Sequence, residues 1–141
     1  MIHIHSNLEK TLNMDSLSFF NLASKRMAWL AETQRVVAEN VANADTPGFK
    51  ARTTEGFDKM LSDGAQAHLK VSHPGHIAGT QTTTVGVEED ANAWSTSPNG
   101  NTVALEQQTI KANEINENYQ LAASLYRKGH ELVRLAATGV R

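Results

Sequence analysis

The chain has 141 residues, enough for one domain, but 40% apolar and 6% aromatic residues are a low content for a self-sufficient globule. A formal net charge of −2 gives no electrostatic basis for binding nucleic acid or an anionic membrane. There is no cysteine, so disulfides are excluded, and no apolar run reaches the roughly 18 residues of a membrane-spanning helix. Met1 to Ser6 lack a basic segment followed by an apolar one, so a cleaved secretory signal is not expected.

Two helices are predicted in the N-terminal third. Ser6-Asn7-Leu8-Glu9 has capping-box spacing and predicts a short helix at about residues 7–13, interrupted at Asn13 and Asp15. From about residue 15 to 44, apolar side chains follow a heptad pattern typical of a coiled-coil seam. The a positions are Phe20, Met27, Gln34 and Val41, and the d positions are Ala23, Leu30, Val37 and Ala44. A second stripe, near the opposite side of the helix, consists of Leu22, Trp29 and Val36.

The second helix is expected to end at about Ala44, because Pro47 disfavours helical geometry at Thr46. The segment Thr46-Pro47-Gly48-Phe49 then predicts a type II turn, since proline presets φ at the second position and glycine supplies the positive φ of the third. The residues suited to bond locally to unpaired backbone groups at the helix end are Asn40, Asn43 and Asp45.

The middle of the chain, residues 53–101, loses the helical periodicity and contains six of the nine glycines. Leu69–Val71 and Thr82–Val87 are predicted to pair as short strands, with His73-Pro74-Gly75-His76 in the connection. So long an irregular connection is acceptable either as a small β module or as a segment that orders against a partner. The sequence leaves both interpretations open.

Helical periodicity returns after Gly100, with Asn101 or Thr102 as the predicted cap, and extends to about Thr138. One apolar stripe comprises Leu105, Ala112, Ile115, Tyr119, Ala122, Ala123, Tyr126, Val133 and Ala137. The second stripe comprises Leu121, Leu125, Leu132 and Leu135. Gly129, inside this helix, marks either close helix packing or a weak point.

These patterns predict a mainly α fold in which the long terminal helices form an antiparallel, coiled-coil-like hairpin. Residues 1–52 and 95–141 form a discontinuous helical assembly domain, and residues 53–94 form a flexible or small β middle region. One stripe of each helix builds the hairpin, so the second stripes are expected to face water and to mark a self-assembly interface. The alternative is a small bundle whose first helix or middle region covers them. With a single seam, the isolated chain is expected to be only marginally stable.

No catalytic, cofactor or metal site is predicted. The residues His68, His73 and His76 do not match a zinc motif, and Glu88-Glu89-Asp90 lacks EF-hand spacing. Phosphate-loop, dinucleotide-binding and serine-hydrolase motifs are missing. A metal-dependent enzyme that uses the loop histidines is the weakest functional hypothesis.

Two segments carry a resemblance to a known family. Asn40-Val-Ala-Asn-Ala-Asp-Thr-Pro-Gly-Phe-Lys-Ala-Arg52 resembles the signature of bacterial flagellar rod and hook axial proteins, and Ser97-Pro-Asn-Gly-Asn-Thr-Val-Ala-Leu-Glu-Gln107 resembles the family's second segment. The resemblance covers about residues 15–60 and 95–138. Two positions depart from the family pattern: Ala104 replaces a common acid, which predicts a weaker start of the C-terminal helix, and Phe49 replaces a frequent tyrosine.

The resemblance implies a non-enzymatic structural protein that is exported unfolded through the flagellar type III apparatus. It would then polymerise into the rod that crosses the periplasm, transmit torque and be required for motility. Its implied partners are further copies of itself, neighbouring rod proteins, the basal-body base and the export apparatus. A helical adaptor or export chaperone that binds a partner helix is the alternative from another functional class.

Overall fold

The computed structural model describes residues 2–68 and 84–139, and their side chains within 14–65 and 84–139. The elements in chain order are α1 (Ile2–Ala42), β1 (Arg52–Thr54), α2 (Phe57–His68), β2 (Val87–Glu89) and α3 (Leu105–Thr138). The two long helices pack against each other, and a small two-stranded sheet lies between them in the sequence. The predicted fold class is therefore confirmed.

A single helix of 41 residues, α1, replaces the two helices predicted at the N-terminus. The predicted break at Asn13 and Asp15 is wrong. Each of these residues is only a fraction of a kcal/mol less favourable than alanine inside a helix, about 0.7 kcal/mol at most. The stretch from Ile2 to Ala42 contains no glycine or proline, which are the residues that break helices more effectively.

The helices α1 and α3 run antiparallel. Near one end of the pair, the Phe20 ring lies 5.2 Å from Tyr126 and 4.3 Å from His130 between ring centroids. Near the other end, Asn40 is hydrogen-bonded to Gln108. The core between these ends is formed by Leu30, Val37, Ile115 and Ala122, with Met27, Trp29 and Ala112 packed against it. The heptad seam is thus correctly placed at its centre, although its last a position, Val41, remains 47% exposed.

Gly129 of α3 marks a close helix approach, one of the two alternatives predicted for it. A Cβ atom added there would lie 2.6 Å from Cε1 of Phe19 and 3.1 Å from Cε1 of Phe20. Glycine therefore lets the aromatic residues of α1 approach the backbone of α3.

The described part of the middle region contains two features that were not predicted. Val87 pairs with Thr54 in an antiparallel sheet, in register with Thr53↔Glu88 and Arg52↔Glu89. The predicted strand Leu69–Val71 and the connection at His73–His76 lie outside the described residues. The helix α2 was not predicted, although Phe57, Met60 and Leu61 have helical spacing.

Candidate assembly site

The signature segment ends α1 and turns the chain. The helix ends at Ala42, two residues before its predicted end. The Phe49 N–H donates to the Thr46 carbonyl oxygen at 3.2 Å, and Gly48 has φ 74°. These features confirm the predicted turn, because its third position requires a positive φ.

Asn40 joins three elements at this helix end. Its side chain is fully buried, and its Oδ1 accepts from the Arg52 N–H at 2.9 Å. Its Nδ2 donates to the Arg52 carbonyl at 2.8 Å and to Oε1 of Gln108 on α3 at 3.0 Å. The prediction of local bonding is therefore wrong for Asn40, whose partners are 12 and 68 residues away. The prediction is confirmed for Asn43, whose Nδ2 donates to the Glu39 carbonyl at 2.9 Å.

Asn101 binds the end of α1 and does not cap α3. Its Nδ2 donates to the carbonyls of Asn43 at 2.9 Å and Thr46 at 2.8 Å. The helix α3 begins at Leu105, with Ala104 in the N-cap position and no side-chain cap hydrogen bond. The predicted cap is wrong because the buried Asn101 amide is already engaged by the turn after α1.

Backbone hydrogen bonds complete the connection between the two signature segments. The Gly48 N–H donates to the Asn99 carbonyl at 2.9 Å, and the Thr102 N–H donates to the Phe49 carbonyl at 3.0 Å. The Ala51 N–H donates to Oγ1 of Thr102 at 2.8 Å. We call residues 40–52 and 97–108 together the junction. The junction is a polar connection in which directional hydrogen bonds hold the C-terminal end of α1 to the start of α3.

The middle region covers part of the second stripe of α1. The Trp29 indole Nε1–H donates to the Glu55 carbonyl at 2.8 Å, and its ring lies 5.9 Å from Phe57 between centroids. Oγ1 of Thr33 lies 2.9 Å from Oγ1 of Thr54, which brings β1 against the same side of α1. Val36 is only 1% exposed. The expectation that Trp29 and Val36 face water in the monomer is therefore wrong. The chain from β1 to the start of α2 folds across Trp29, and Val36 is buried on the same side of α1.

The other residues predicted at an assembly interface stay exposed. Leu22 of α1 is 48% exposed, and the exposed fractions on α3 are 58% for Leu121, 50% for Leu125, 57% for Leu132 and 45% for Leu135. Sequence periodicity found this row on α3, but it could not find the partial cover of α1, which comes from residues more than 20 positions away.

The carboxylate of Glu55, which follows β1, is held by two partners in the middle region. Glu55 accepts the Gly86 N–H at 2.9 Å and forms an ion pair with Lys59 at 3.2 Å. The Gly86 hydrogen bond, followed by the Lys59 contact, lowers the pKa of the Glu55 carboxyl below its ordinary value. Among the residues whose side chains are described, no group of three or more histidine or acidic side chains is placed to hold a metal ion.

Comparison with known proteins places this geometry in a family. A family model described as flagella basal body rod protein matches residues 20–50. The flagellar basal body rod protein FlgB of Agrobacterium fabrum (strain C58 / ATCC 33970) is 31% identical over 125 residues, which cover 86% of this chain and 93% of that protein. The chain belongs to the flagellar basal body rod protein family.

The part of the chain that matches the flagellar basal body rod protein family overlaps the junction. The matched residues 20–50 contain the second half of α1 and the turn at Pro47 and Gly48. The family is one of structural flagellar rod proteins rather than of enzymes. None of the helices in the described parts of the chain is long and apolar enough to cross a membrane.

Proposed function

We propose that this protein is an axial subunit of the flagellar basal-body rod, that it polymerises through its long helices, and that it transmits torque. Family membership supports the rod assignment. The observation that carries the mechanism is the exposed leucine row of α3 beside a hairpin whose core is already filled by Leu30, Val37 and Ile115. Large apolar side chains left at a surface mark an interface.

The junction supports a mechanical role. It holds the end of α1 to the start of α3 through buried Asn40, Asn101 and Gln108. A load applied to one helix therefore reaches the other through short directional bonds as well as through the apolar seam. We propose that residues 1–52 and 95–141 act as the assembly domain, and that residues 53–94 stand outside the helical contacts between subunits except where Phe57 of α2 borders the long helices.

The proposed partners are further copies of this chain, neighbouring rod proteins, the basal-body base and the export apparatus. The proposed location is the rod within the periplasm, reached by type III export. The lack of cysteine suits this route, since the unfolded chain carries no disulfide through a narrow channel. The proposed interface residues are Leu22, Trp29, Val36, Leu121, Leu125, Leu132 and Leu135, and for Trp29 and Val36 the role requires the middle region to move aside.

A deletion strain complemented with the wild type or with Leu132→Asp tests this function. The wild type should restore swimming, and the protein should be recovered with purified basal bodies. Leu132→Asp should restore neither, because a carboxylate would be placed in an apolar interface. The control is Ser62→Asp, which adds the same carboxylate at an exposed position of α2, outside both the leucine row and the junction.

Two results would contradict the proposal. Normal swimming in the deletion strain would show that the chain is not a required rod subunit. Recovery of the wild-type protein from the cytosol alone, never with basal bodies, would favour a helical adaptor or export chaperone instead.

A further inference from the structure

We infer that successive copies dock head to tail along α3, with the basic C-terminal half of one α3 against the acidic N-terminal half of the next. This inference rests on the proposed self-assembly and adds the direction and the charge pairing of the contact. Its occupant is a second copy of this chain.

One face of α3 carries both the apolar row and the charges. Leu121, Leu125, Leu132 and Leu135 are separated by four, seven and three residues, which is heptad spacing. Lys128 fills the heptad position between Leu125 and Leu132. Continuing the same spacing toward the N-terminus reaches Asn118 and Glu114, and Glu117 lies one turn, four residues, before Leu121. Both acids therefore precede the leucines on the same side of the helix. The stretch from Glu114 to Leu135 is about 32 Å long at 1.5 Å per residue.

The two halves of α3 have opposite net charge. Residues 105–120 contain Glu106, Glu114 and Glu117 against one cation, Lys111, which is already paired with Asp90. Residues 121–138 contain Arg127, Lys128 and Arg134 against one acid, Glu131. The formal charges are therefore −2 and +2. Two such helices in parallel and without stagger would place like charges side by side, whereas a stagger places the halves against each other.

An apolar cleft continues the leucine row and provides a concave surface for the second copy. It has a volume of about 220 Å³, and its lining includes Leu22, Phe57, Ala122 and Leu125. Leu125 belongs both to the cleft and to the row, so the two surfaces are continuous. The cleft draws on α1, α2 and α3 of one copy, whereas the acidic half lies farther along α3. Contact between two such different surfaces is heterologous and leaves each copy one free end, which suits an open filament.

Reversal and restoration of one charge pair tests the inference. Glu117→Lys and Lys128→Glu are each made in the full chain, and self-association is measured by sedimentation over a range of concentrations at low salt. Glu117 and Lys128 are both exposed, and Lys128→Glu gives up only an exposed ion pair with Glu131 at 3.4 Å, so neither change should lower the helical circular dichroism appreciably. They are 11 residues, about 16 Å, apart on one helix, so they cannot pair within one copy. Each single reversal should weaken association about tenfold, because it turns attraction into repulsion.

The double variant and an equal mixture of the two single variants should both return association to within about threefold of the wild type. Asp63→Lys, an exposed acid on α2 with the same change of charge, is the matched control and should associate like the wild type. Failure of restoration, with association lost equally in all variants, would overturn the charge pairing.

A cysteine variant distinguishes the head-to-tail arrangement from an antiparallel dimer with two-fold symmetry. In an antiparallel pair that also joined Glu117 to Lys128, Leu121 would lie near the two-fold axis and close to its own copy. The chain has no native cysteine, so Leu121→Cys reports this contact alone. Oxidation should leave it uncross-linked, and an efficient disulfide dimer would overturn the head-to-tail arrangement.

The same variants distinguish the inference from the function on which it rests. If the single reversals swim and assemble normally while Leu132→Asp does not, the leucine interface stands and the charge pairing is wrong. If Leu132→Asp also assembles and swims normally, the proposed function itself fails.

Discussion

The side-chain amides of Asn40 and Gln108 meet at 3.0 Å in the interior, although 68 residues separate them in the chain. The Arg52 backbone N–H determines which way both side-chain amides face. The Arg52 N–H can only donate, so Asn40 presents Oδ1 to it and Nδ2 to Gln108, which must then offer Oε1. Nε2 of Gln108 is consequently left buried without a hydrogen-bond partner. This pair joins the end of α1 to the first turn of α3 and leaves one amide group unpaired.

Asn40→Ala should therefore be more destabilising than Gln108→Met. The first change leaves the Arg52 N–H and carbonyl and Oε1 of Gln108 without their partner, and we expect a loss of about 3 kcal/mol in the free energy of unfolding. The second change breaks one hydrogen bond but also removes the unpaired donor, so its cost should be below about 1 kcal/mol. Urea unfolding followed by circular dichroism measures the free energy of unfolding of both variants. Equal losses in the two variants would contradict the predicted difference.

Gly48→Ala should destabilise the turn by about 1–2 kcal/mol, because a side chain is strained at φ 74°. The strain is local, since an added Cβ would meet no atom within 4 Å. Gly56→Ala is the matched control: it also has open space, but its φ lies outside the positive region, so it should be neutral or slightly stabilising. Thermal melts of the two variants provide the comparison. Equal melting temperatures would refute the role of the left-handed turn.

Acid should weaken the fold of the middle region, where the Glu55 carboxylate binds the Gly86 N–H and Lys59. The folded pKa of Glu55 is lowered, chiefly by the Gly86 N–H, so its ionised form is favoured in the folded state. Its contribution is complete above the ordinary pKa of 4.5 and is lost as pH falls from there through the lowered folded value. The wild type should thus lose stability below about pH 4.5 more steeply than Glu55→Gln.

Unfolding measured from pH 7 to pH 3 checks this slope. Glu32, whose pKa is lowered chiefly by its hydrogen bond to Arg35, adds to the acid loss in both proteins, so the difference between them isolates Glu55. Identical pH profiles would show that the Glu55 contact does not contribute.

Trp29→Phe should release the middle region from α1 while leaving the hairpin helical. The change removes the hydrogen bond to the Glu55 carbonyl and trims the contact with Phe57, at an expected cost of about 1 kcal/mol. Trp29→Glu should lower the stability of the monomer, whereas a Trp29 that faced water, as periodicity predicted, would tolerate the change. The reason is that it places a carboxylate beside a half-buried aromatic contact. Proteolysis within residues 53–94 is the measurement, and it should accelerate in both variants without loss of helical signal.

A fluorescence measurement can follow the same contact. Trp94 is 62% exposed, so Trp94→Phe leaves half-buried Trp29 as the remaining tryptophan. Its emission should shift to longer wavelength when the middle region detaches, for example on acidification.

The long helices and their seam were readable from sequence because heptad spacing is a local property of the chain. Leu30 and Val37 were placed correctly on that basis alone. The turn at Pro47 and Gly48 was also predictable, since both residues restrict the backbone within a few positions. The break at Asn13 was not real, because weak local preferences yield to a continuous helix.

The junction was only partly predictable, because its bonds join residues that are distant in the chain. Asn40 and Asn101 were singled out as polar residues at helix ends, but their partners lie 12 to 68 positions away. The contacts of Trp29 with Glu55 and Phe57 are likewise a tertiary effect, and no periodicity within α1 predicts them. The exposed leucines of α3 were predictable, because their spacing within one helix places them on one face, away from the stripe that packs against α1.

The long sequence separation of the junction determines when this protein finishes folding. The chain after α1 cannot complete its hydrogen bonds until Asn99, Asn101 and Gln108 have emerged, whether from a ribosome or from any narrow conduit. Until then Asn40 has only Arg52 as a partner, and the apolar seam of α1 has no α3 to cover it. Closure must bridge a loop of about 60 residues, which makes it a late and slow step. A newly delivered chain therefore remains pliable until its last third arrives.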